Sequence, residues 1–355
     1  MEDSRPLLKV EQLRKYYPVT AGLLRRKVAE VKAIDGMDFE LDEGETLGLA
    51  GESGCGKSTV VRCISRLVHP TSGRVLFRTD EAPEFADAQG MVDLSSLPER
   101  QLKVIRKDVQ VIFQDPDSSL NPRMTIKSIV GEPFAIHHRG TAKKRKGKIV
   151  ELLEMVGLDS SHLNRFPHEL SGGQKQRVGV ARALALGPKL ILADEPVSAL
   201  DMSIQGQILN LLEDIKDRLS LTFLFIAHDL SVLSHICNRL GIMYLGNLLE
   251  MAETRALFAS PKHPYTEALL SAIPQPDPER TVERTVLKGS VPSPLNKPSG
   301  CPFHPRCNHQ TDICRQSVPV LRDMGEGRHC ACHLAEKLDL HGTLEFDVTD
   351  KLGLE

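Results

Sequence analysis

The chain has 355 residues, 41% hydrophobic and 26% charged, a composition that supports one large folded domain with a smaller annex and excludes disorder of the whole. Its formal net charge of -2 supplies no global basic field for nucleic acid or an anionic membrane, so any such contact has to be local. No apolar run reaches the roughly 18 to 20 residues that a membrane span requires, and the opening MEDSRPLLKV has no basic stretch followed by an apolar one, so a cytoplasmic location is expected.

In chain order, residues 31–50 alternate short apolar runs with turn residues, and LDEGETLGLAG predicts a turn followed by a buried strand over Thr46–Ala50. A helix is expected over STVVRCISRLV. Between them lies GESGCGKST, Gly51–Thr59, which matches G-x-x-x-x-G-K-[ST] in the strand-to-helix context that pattern needs. Gly51, Gly54 and Gly56 let the backbone turn its N–H groups inward, and with the helix N-terminus they cradle phosphate oxygens. Lys57 is placed to reach the β- and γ-phosphates and Ser58 to bind Mg²⁺; a glycine-rich turn with an incidental lysine is the bland alternative.

The acidic, proline-containing stretch between Ser72 and Ile105 shows no sustained period, and its first half reads as a surface insertion. Ile126 to Leu158 is mostly helical in pattern, with Gly157 as a helix end, and suggests a helical lobe over about 115–170. Within it HHRGTAKKRKGK, His137–Lys148, reads as a solvated helix start, because aromatic residues for base stacking are absent; LLRRK, Leu23–Lys27, is read in the same way. Strands over Leu190–Ala193 and Thr222–Ala227 with an intervening helix, Ile204–Leu219, whose Ile204, Ile208, Leu211, Leu212, Ile215 and Leu219 share one face, give the βα alternation of a parallel sheet. LILADEP ends its strand in two carboxylates: Asp194 is placed to support Mg²⁺ and Glu195 to face an attacking water, a solvated acidic turn being the alternative. In LSGGQKQRVGVARAL, Leu170–Leu184, Ser171 caps a helix while Gly172 and Gly173 expose N–H groups at its positive end.

After Leu270 the text becomes proline-rich, and a domain boundary is set there: a large domain over 1–270, a linker over 271–298, a Cys-rich segment over 299–335 and a tail over 336–355. Of eight cysteines, Cys301, Cys307, Cys314, Cys330 and Cys332 crowd together, which without an export signal points to a metal or cluster site before disulfides. His263 and His304 lack convincing metal partners.

The Leu170–Leu184 segment resembles the signature of ABC transporter ATPases with its following helix. The fold this implies is α/β, a P-loop NTPase cassette with a RecA-like core, an antiparallel β subdomain, a helical lobe and a small Cys-rich C-terminal appendage. By the same resemblance Gln114 matches the glutamine that reaches Mg²⁺ and the attacking water, Ser198–Asp201 the loop crossing the dimer interface, and His228 the switch histidine. Tyr17 matches the aromatic stacked on adenine, with Tyr16, or a plain core role, as alternatives. The implied nucleotide contacts are Tyr17, Gly51, Ser53, Gly54, Gly56, Lys57, Ser58 and Thr59, with Ser171, Gly172, Gly173, Gln174 and Asp201 serving ATP held by an opposing subunit. The implied catalytic residues are Glu195, His228, Lys57 and Gln114, with Ser58, Gln114 and Asp194 at Mg²⁺.

FQDPDSSLNPRMTI, ADEPVSALDMSIQGQILNLL, MYLGNLLEMA and SPKHPYTEALLSAIP are similar to the ATPases of bacterial oligopeptide and dipeptide importers, closer to the second of their paired ATPases. That branch implies a homologous but different ATPase partner, two integral-membrane permease subunits, an extracytoplasmic substrate-binding protein, no nucleic acid, and a peripheral place on the cytoplasmic face of the cell membrane. Relatives with these motifs also import nickel or oligosaccharides. An exporter ATPase is disfavoured by SPKHPYTEALL. A soluble ABC protein acting on ribosomes or DNA is the other-class alternative, opposed by the single cassette and the lack of inserted coiled coils. GCPFHPRCNHQTDIC resembles the branch's segment that holds a [4Fe-4S] cluster, with Cys301, Cys307 and Cys314 as ligands; ACHL favours Cys332 over Cys330 as the fourth, and zinc is the competing metal. The cluster is expected to order the C-terminal segment without joining the hydrolysis chemistry.

Overall fold

A computed structural model of the chain describes residues 6–22, 26–273 and 286–343. Two sheets organise them. The smaller is antiparallel and holds β1 (Pro6–Ala21), β2 (Arg26–Asp42), β4 (Ser72–Arg78) and β5 (Met91–Asp93) in the order β2-β1-β4-β5. The larger contains β3 (Thr46–Ala50), β6 (Val109–Ile112), β7 (Leu190–Asp194), β8 (Thr222–Ile226), β9 (Arg239–Tyr244), β10 (Asn247–Glu253), β11 (Arg322–Asp323) and β12 (His329–Cys330). Its order is β11-β12-β10-β9-β3-β8-β7-β6.

The pairs from β9 through β3, β8 and β7 to β6 are parallel. β3, β7 and β8 are buried along their whole length, which is why they read as unbroken apolar runs rather than alternations. Parallel strands deliver their C-terminal ends to one edge of a sheet, and there β3 runs into Gly51, β7 into Glu195 and β8 toward His228. The helical lobe covers the β6–β7 side. Ile129, Val130 and Phe134 of the helix Ile126–Ile136 and Ile149, Leu152 and Leu153 of Ala142–Met155 bury in one core that also receives the helix Gly172–Leu184. Gly157, at φ 74°, follows the end of the second of these helices.

Several local expectations need correction. The 72–105 stretch is exposed through much of its first half, yet Ala82, Met91, Val92 and Leu94 sink into the core and Met91–Asp93 forms an edge strand, because those apolar side chains find the face of the smaller sheet. In LLRRK, Leu23 to Arg25 lie outside the described residues, and Arg26 and Lys27 open a strand rather than a helix. In the helix Met202–Leu219 the buried stripe runs through Ile208, Leu209, Leu212 and Ile215, whereas Leu219 is exposed.

The Cys-rich segment is not a detached appendage. Phe303, 1% exposed, packs against Tyr244 and Tyr265 with ring centroids 5.4 and 5.2 Å away. β12 pairs with β10 through Cys330 and His329 and so extends the larger sheet. Residues 274–285 of the expected linker lie outside the described residues, but Val291 to Pro294 lie against the Glu52–Cys55 turn. The described part of the tail folds back, the His341 N–H donating to Glu267 Oε1 at 2.8 Å.

Candidate functional site

The loop Gly51–Gly56 is held against neighbouring backbone so closely that side chains are excluded at its two ends. Gly51 sits at φ 148° with any added Cβ driven into the Met243 carbonyl oxygen, and Gly56 at φ 112° faces the Ala33 carbonyl in the same way. Lys57 opens an eight-residue helix, and its buried ammonium donates to the carbonyl oxygens of Gly51 at 2.6 Å and Glu52 at 3.3 Å. The Ser58 hydroxyl donates to Asp194 Oδ1 at 2.8 Å. Burial pushes the Asp194 carboxyl above its ordinary range, the Ser58 hydrogen bond opposing, so a nearby cation favours its ionised form. Paired hard oxygen donors beside a phosphate loop fit Mg²⁺.

Glu195 takes φ 49°, a left-handed conformation unusual for a residue with a side chain, and its N–H donates to the Ile226 carbonyl at 3.0 Å. Its carboxylate accepts from Gln114 Nε2 at 2.9 Å and stands 3.5 Å from His228 Nδ1. Ser53, Gly54, Gly56, Lys57, Ser58, Thr59, Gln114, Glu195 and His228 line one cleft of about 370 Å³, together with Val31, Ala33 and Pro294. The cleft thus brings residues of the phosphate loop together with Gln114, Glu195 and His228, which come from three other stretches of sequence.

Tyr17 does not line this cleft, but it lies directly across the β1–β2 pair from Val31, which does, and directly opposed residues share a sheet face. Lys15 Nζ stands 4.7 Å from the Tyr17 ring centroid. Tyr16 is committed elsewhere, its hydroxyl donating to Asp35.

The Ser171–Gln174 turn lies outside the lining of this cleft. Ser171 Oγ accepts from the Gln174 N–H at 3.3 Å while Gln174 Oε1 accepts from the Ser171 N–H at 3.0 Å, a reciprocal cap that fixes the start of the helix. Ser171 and Gly172 are exposed, and so is Asp201 at the head of the helix Met202–Leu219. None of these lines the cleft.

Cys301, Cys307, Cys314 and Cys332 line a second, small cavity, into which Cys330 does not face; the Cys330 thiol donates to the Lys262 carbonyl at 3.4 Å. Burial pushes the Cys301 and Cys307 thiols up, to about 12 and about 11, and raises that of Cys332, so these three are held as neutral thiols. Among the described residues, no three His, Cys, Asp or Glu side chains are grouped to hold a metal ion. The four thiols surround a space rather than converge on a point. His263 is the N-cap of the helix Pro264–Ser271, and burial lowers its imidazole to about 3.

Sequence reasoning missed the contacts behind the phosphate loop. Arg306 makes two hydrogen bonds to Glu52, Nη1 to Oε2 at 2.8 Å and Nη2 to Oε1 at 3.1 Å, and the Tyr265 hydroxyl accepts the Glu52 N–H at 3.0 Å. Lys297 pairs with Asp35 at 3.1 Å. The Cys-rich segment therefore touches the Gly51–Thr59 loop, from whose chemistry it was expected to stand apart. The one local signal was an arginine lodged between Cys301 and Cys307, too short a pattern to name its partner.

Comparison with known proteins yields a match of residues 34–198 to the "ABC transporter" family model and of 249–314 to "Oligopeptide/dipeptide transporter, C-terminal region". The chain is 49% identical over 331 residues to the oligopeptide transport ATP-binding protein AppF of Bacillus subtilis, covering 92% of this chain and 97% of that protein. It is 47% identical over 327 residues to a putative peptide import ATP-binding protein of Brucella ovis, covering 92% and 97%. Among solved structures, a dimeric ATP-binding cassette in a post-hydrolysis state bound to ADP and Pi superposes with a TM-score of 0.59 at 29% identity, over 70% of this chain and 98% of that one.

Proposed function

The chain belongs to the ABC transporter family, as an ATPase of its oligopeptide/dipeptide branch, and from that premise we propose that it powers the import of peptides across a membrane. The observation that carries the chemistry is the meeting of Lys57, Gln114, Glu195 and His228 in one cleft. Gln114 holds the Glu195 carboxylate, which aligns water on the γ-phosphorus and takes its proton as the new P–O bond forms; the bond to the bridging oxygen breaks and ADP leaves. Lys57 exchanges its carbonyl partners for phosphate oxygens, and His228 stabilises charge on the transferring group. Ser58, Asp194 and Gln114 would hold Mg²⁺, which when bound neutralises phosphate charge. Tyr17 is assigned the adenine face by its register with Val31.

Ser171, Gly172, Gly173, Gln174 and Asp201 are exposed or half-buried and away from this cleft, which suits contact with ATP on an opposing cassette, proposed to be a homologous but different chain. The division we propose is a cassette over 1–270 with its helical lobe over about 115–170, and a docked Cys-bearing segment over 299–335. Two permease subunits and an extracytoplasmic binding protein complete the importer, with this chain peripheral on the cytoplasmic face. Among the described residues no helix is long and apolar enough to cross a membrane.

Cys301, Cys307, Cys314 and Cys332 would hold a [4Fe-4S] cluster, a reading that rests on all four lining one cavity; zinc would need them converged on a single centre at about 2.3 Å. When bound, such a cluster cross-links four points of the C-terminal segment. Anaerobically purified protein should contain about four irons per chain. Cys332→Ser should lose them and Cys330→Ser keep them; stoichiometric zinc in place of iron overturns the assignment. For the transport reading, the chain should co-purify with membrane permeases and drive ATP-dependent uptake of a labelled peptide in the assembled complex. Recovery with ribosomes or DNA would sink it, and uptake of nickel or an oligosaccharide instead of peptide would overturn the cargo.

A further inference from the structure

The phosphate loop is gripped from behind by a segment about 250 residues downstream. Glu52, the second residue of the loop, receives both terminal nitrogens of Arg306, at 2.8 and 3.1 Å, and its N–H is tied to the Tyr265 hydroxyl at 3.0 Å. Arg306 is 7% exposed, and its Nη1 also donates to the Tyr244 hydroxyl at 3.4 Å. Tyr244 and Tyr265 are themselves locked edge to face, centroids 4.8 Å apart, with Phe303 closing the group. A bidentate guanidinium–carboxylate pair fixes orientation as well as distance, which a single-point ion pair does not. The carbonyl of the same Glu52 accepts from Lys57 Nζ at 3.3 Å. The peptide unit that Arg306 orients is therefore one that the phosphate-binding ammonium rests on.

We propose that Arg306 is a positioning residue for ATP binding: through Glu52 it fixes the phosphate loop in the shape that receives the β- and γ-phosphates, making the Cys-rich segment part of the nucleotide site. The Glu52 side chain points away from the cleft and into the Arg306–Tyr244 group, so it acts on nucleotide only through the backbone it anchors. Loop amides aimed at phosphate act by preorganisation, and a loop that has to be ordered at binding loses affinity by that ordering cost. Breaking the pair should consequently raise the ATP concentration needed for half-saturation and leave the chemical step, served by Glu195 and Gln114, unchanged once ATP is bound.

The inference rests on the nucleotide reading of Gly51–Thr59, which Lys57→Ala tests separately: if that variant binds Mg-ATP like wild type, the reading itself fails. The test proper uses the full-length chain in its importer complex, with Mg-ATP as ligand, measuring dissociation constant, KM and kcat for Arg306→Met, Glu52→Gln, the double variant and Arg306→Lys. Each single variant is expected to weaken binding about tenfold, ~1.4 kcal/mol, with kcat at saturation retained. The double variant should lose little more than either single, because both remove one interaction, and Arg306→Lys should fall between. A merely structural arginine would lower Tm and leave KM where it was. Glu52→Gln keeps size and shape and carries the test if Arg306→Met does not fold. Wild-type affinity in Glu52→Gln, or losses that add in full in the double variant, would overturn the proposal.

Discussion

In the proposed mechanism Glu195 concentrates the chemistry in one side chain, and its surroundings say which property would matter. Its carboxylate accepts from Gln114 at 2.9 Å and lies 3.5 Å from His228, contacts that glutamine can imitate in shape but not in charge or proton affinity. Glu195→Gln is expected to retain ATP binding and to slow hydrolysis at this site by on the order of 10² to 10⁴. Single-turnover assays with bound ATP check it, and an unchanged rate would remove Glu195 as the base. His263 makes a different claim at the same scale. Its buried ring accepts the Tyr265 N–H at 3.0 Å and titrates near 3 rather than 6.5. Between those values the unfolded chain holds a proton that the folded chain refuses, so this contribution to stability is present above pH 6.5 and is lost as pH falls toward 3. His263→Asn keeps a capping acceptor and cannot titrate, so its Tm should fall less between pH 7.5 and pH 5 than that of the wild type; parallel slopes would contradict the assignment.

At the scale of elements, the helix Gly172–Leu184 shows how far a local pattern can be trusted. Ser171 and Gln174 cap each other within four residues, a relation written entirely in local sequence, and the βα alternation of β7 and β8 was legible for the same reason. Gly173 adds a constraint that spacing did not convey: a Cβ there would come within 2.7 Å of Ile204 Cγ2 in the next helix. Gly173→Asp should therefore disturb the packing of this turn and set a negative charge beside incoming phosphate, sparing ATP binding by the isolated chain and preventing closure with a partner cassette. Light scattering with ATP on a hydrolysis-deficient background checks this; normal dimerisation would reject the anion-site role. What the sequence hid were elements whose reason for existing lies elsewhere in the chain. The strand Met91–Asp93 is three residues long and is held by the β4 edge it pairs with and by the core that Val92 enters. Leu209, not Leu219, completes the buried stripe of its helix because the covering core ends before the last turn. The Arg306–Glu52 pair joins a cysteine motif to a phosphate motif, and neither pattern contains the other's partner.

At the scale of the whole molecule, the C-terminal segment closes the larger sheet. β12 covers the outer side of β10, and Phe303 seals Tyr244 and Tyr265, both fully buried. A chain ending at Ile273 would expose an apolar edge strand and those two rings, so it is expected to self-associate, visible as high-mass species by size exclusion with light scattering. A monodisperse monomer would show that the segment is dispensable to the core. The Arg306–Glu52 contact also has a history in time. The two residues are 254 apart in sequence, and at roughly 5 to 20 residues per second a ribosome needs about ten to fifty seconds to deliver the second after the first. For that interval the Glu52 carboxylate has no guanidinium to meet, however early the surrounding strands fold. A nascent chain thus passes through a stage with its upstream strands made and its phosphate loop unanchored, and on the proposed role of Arg306 full nucleotide affinity arrives only with the C-terminal segment.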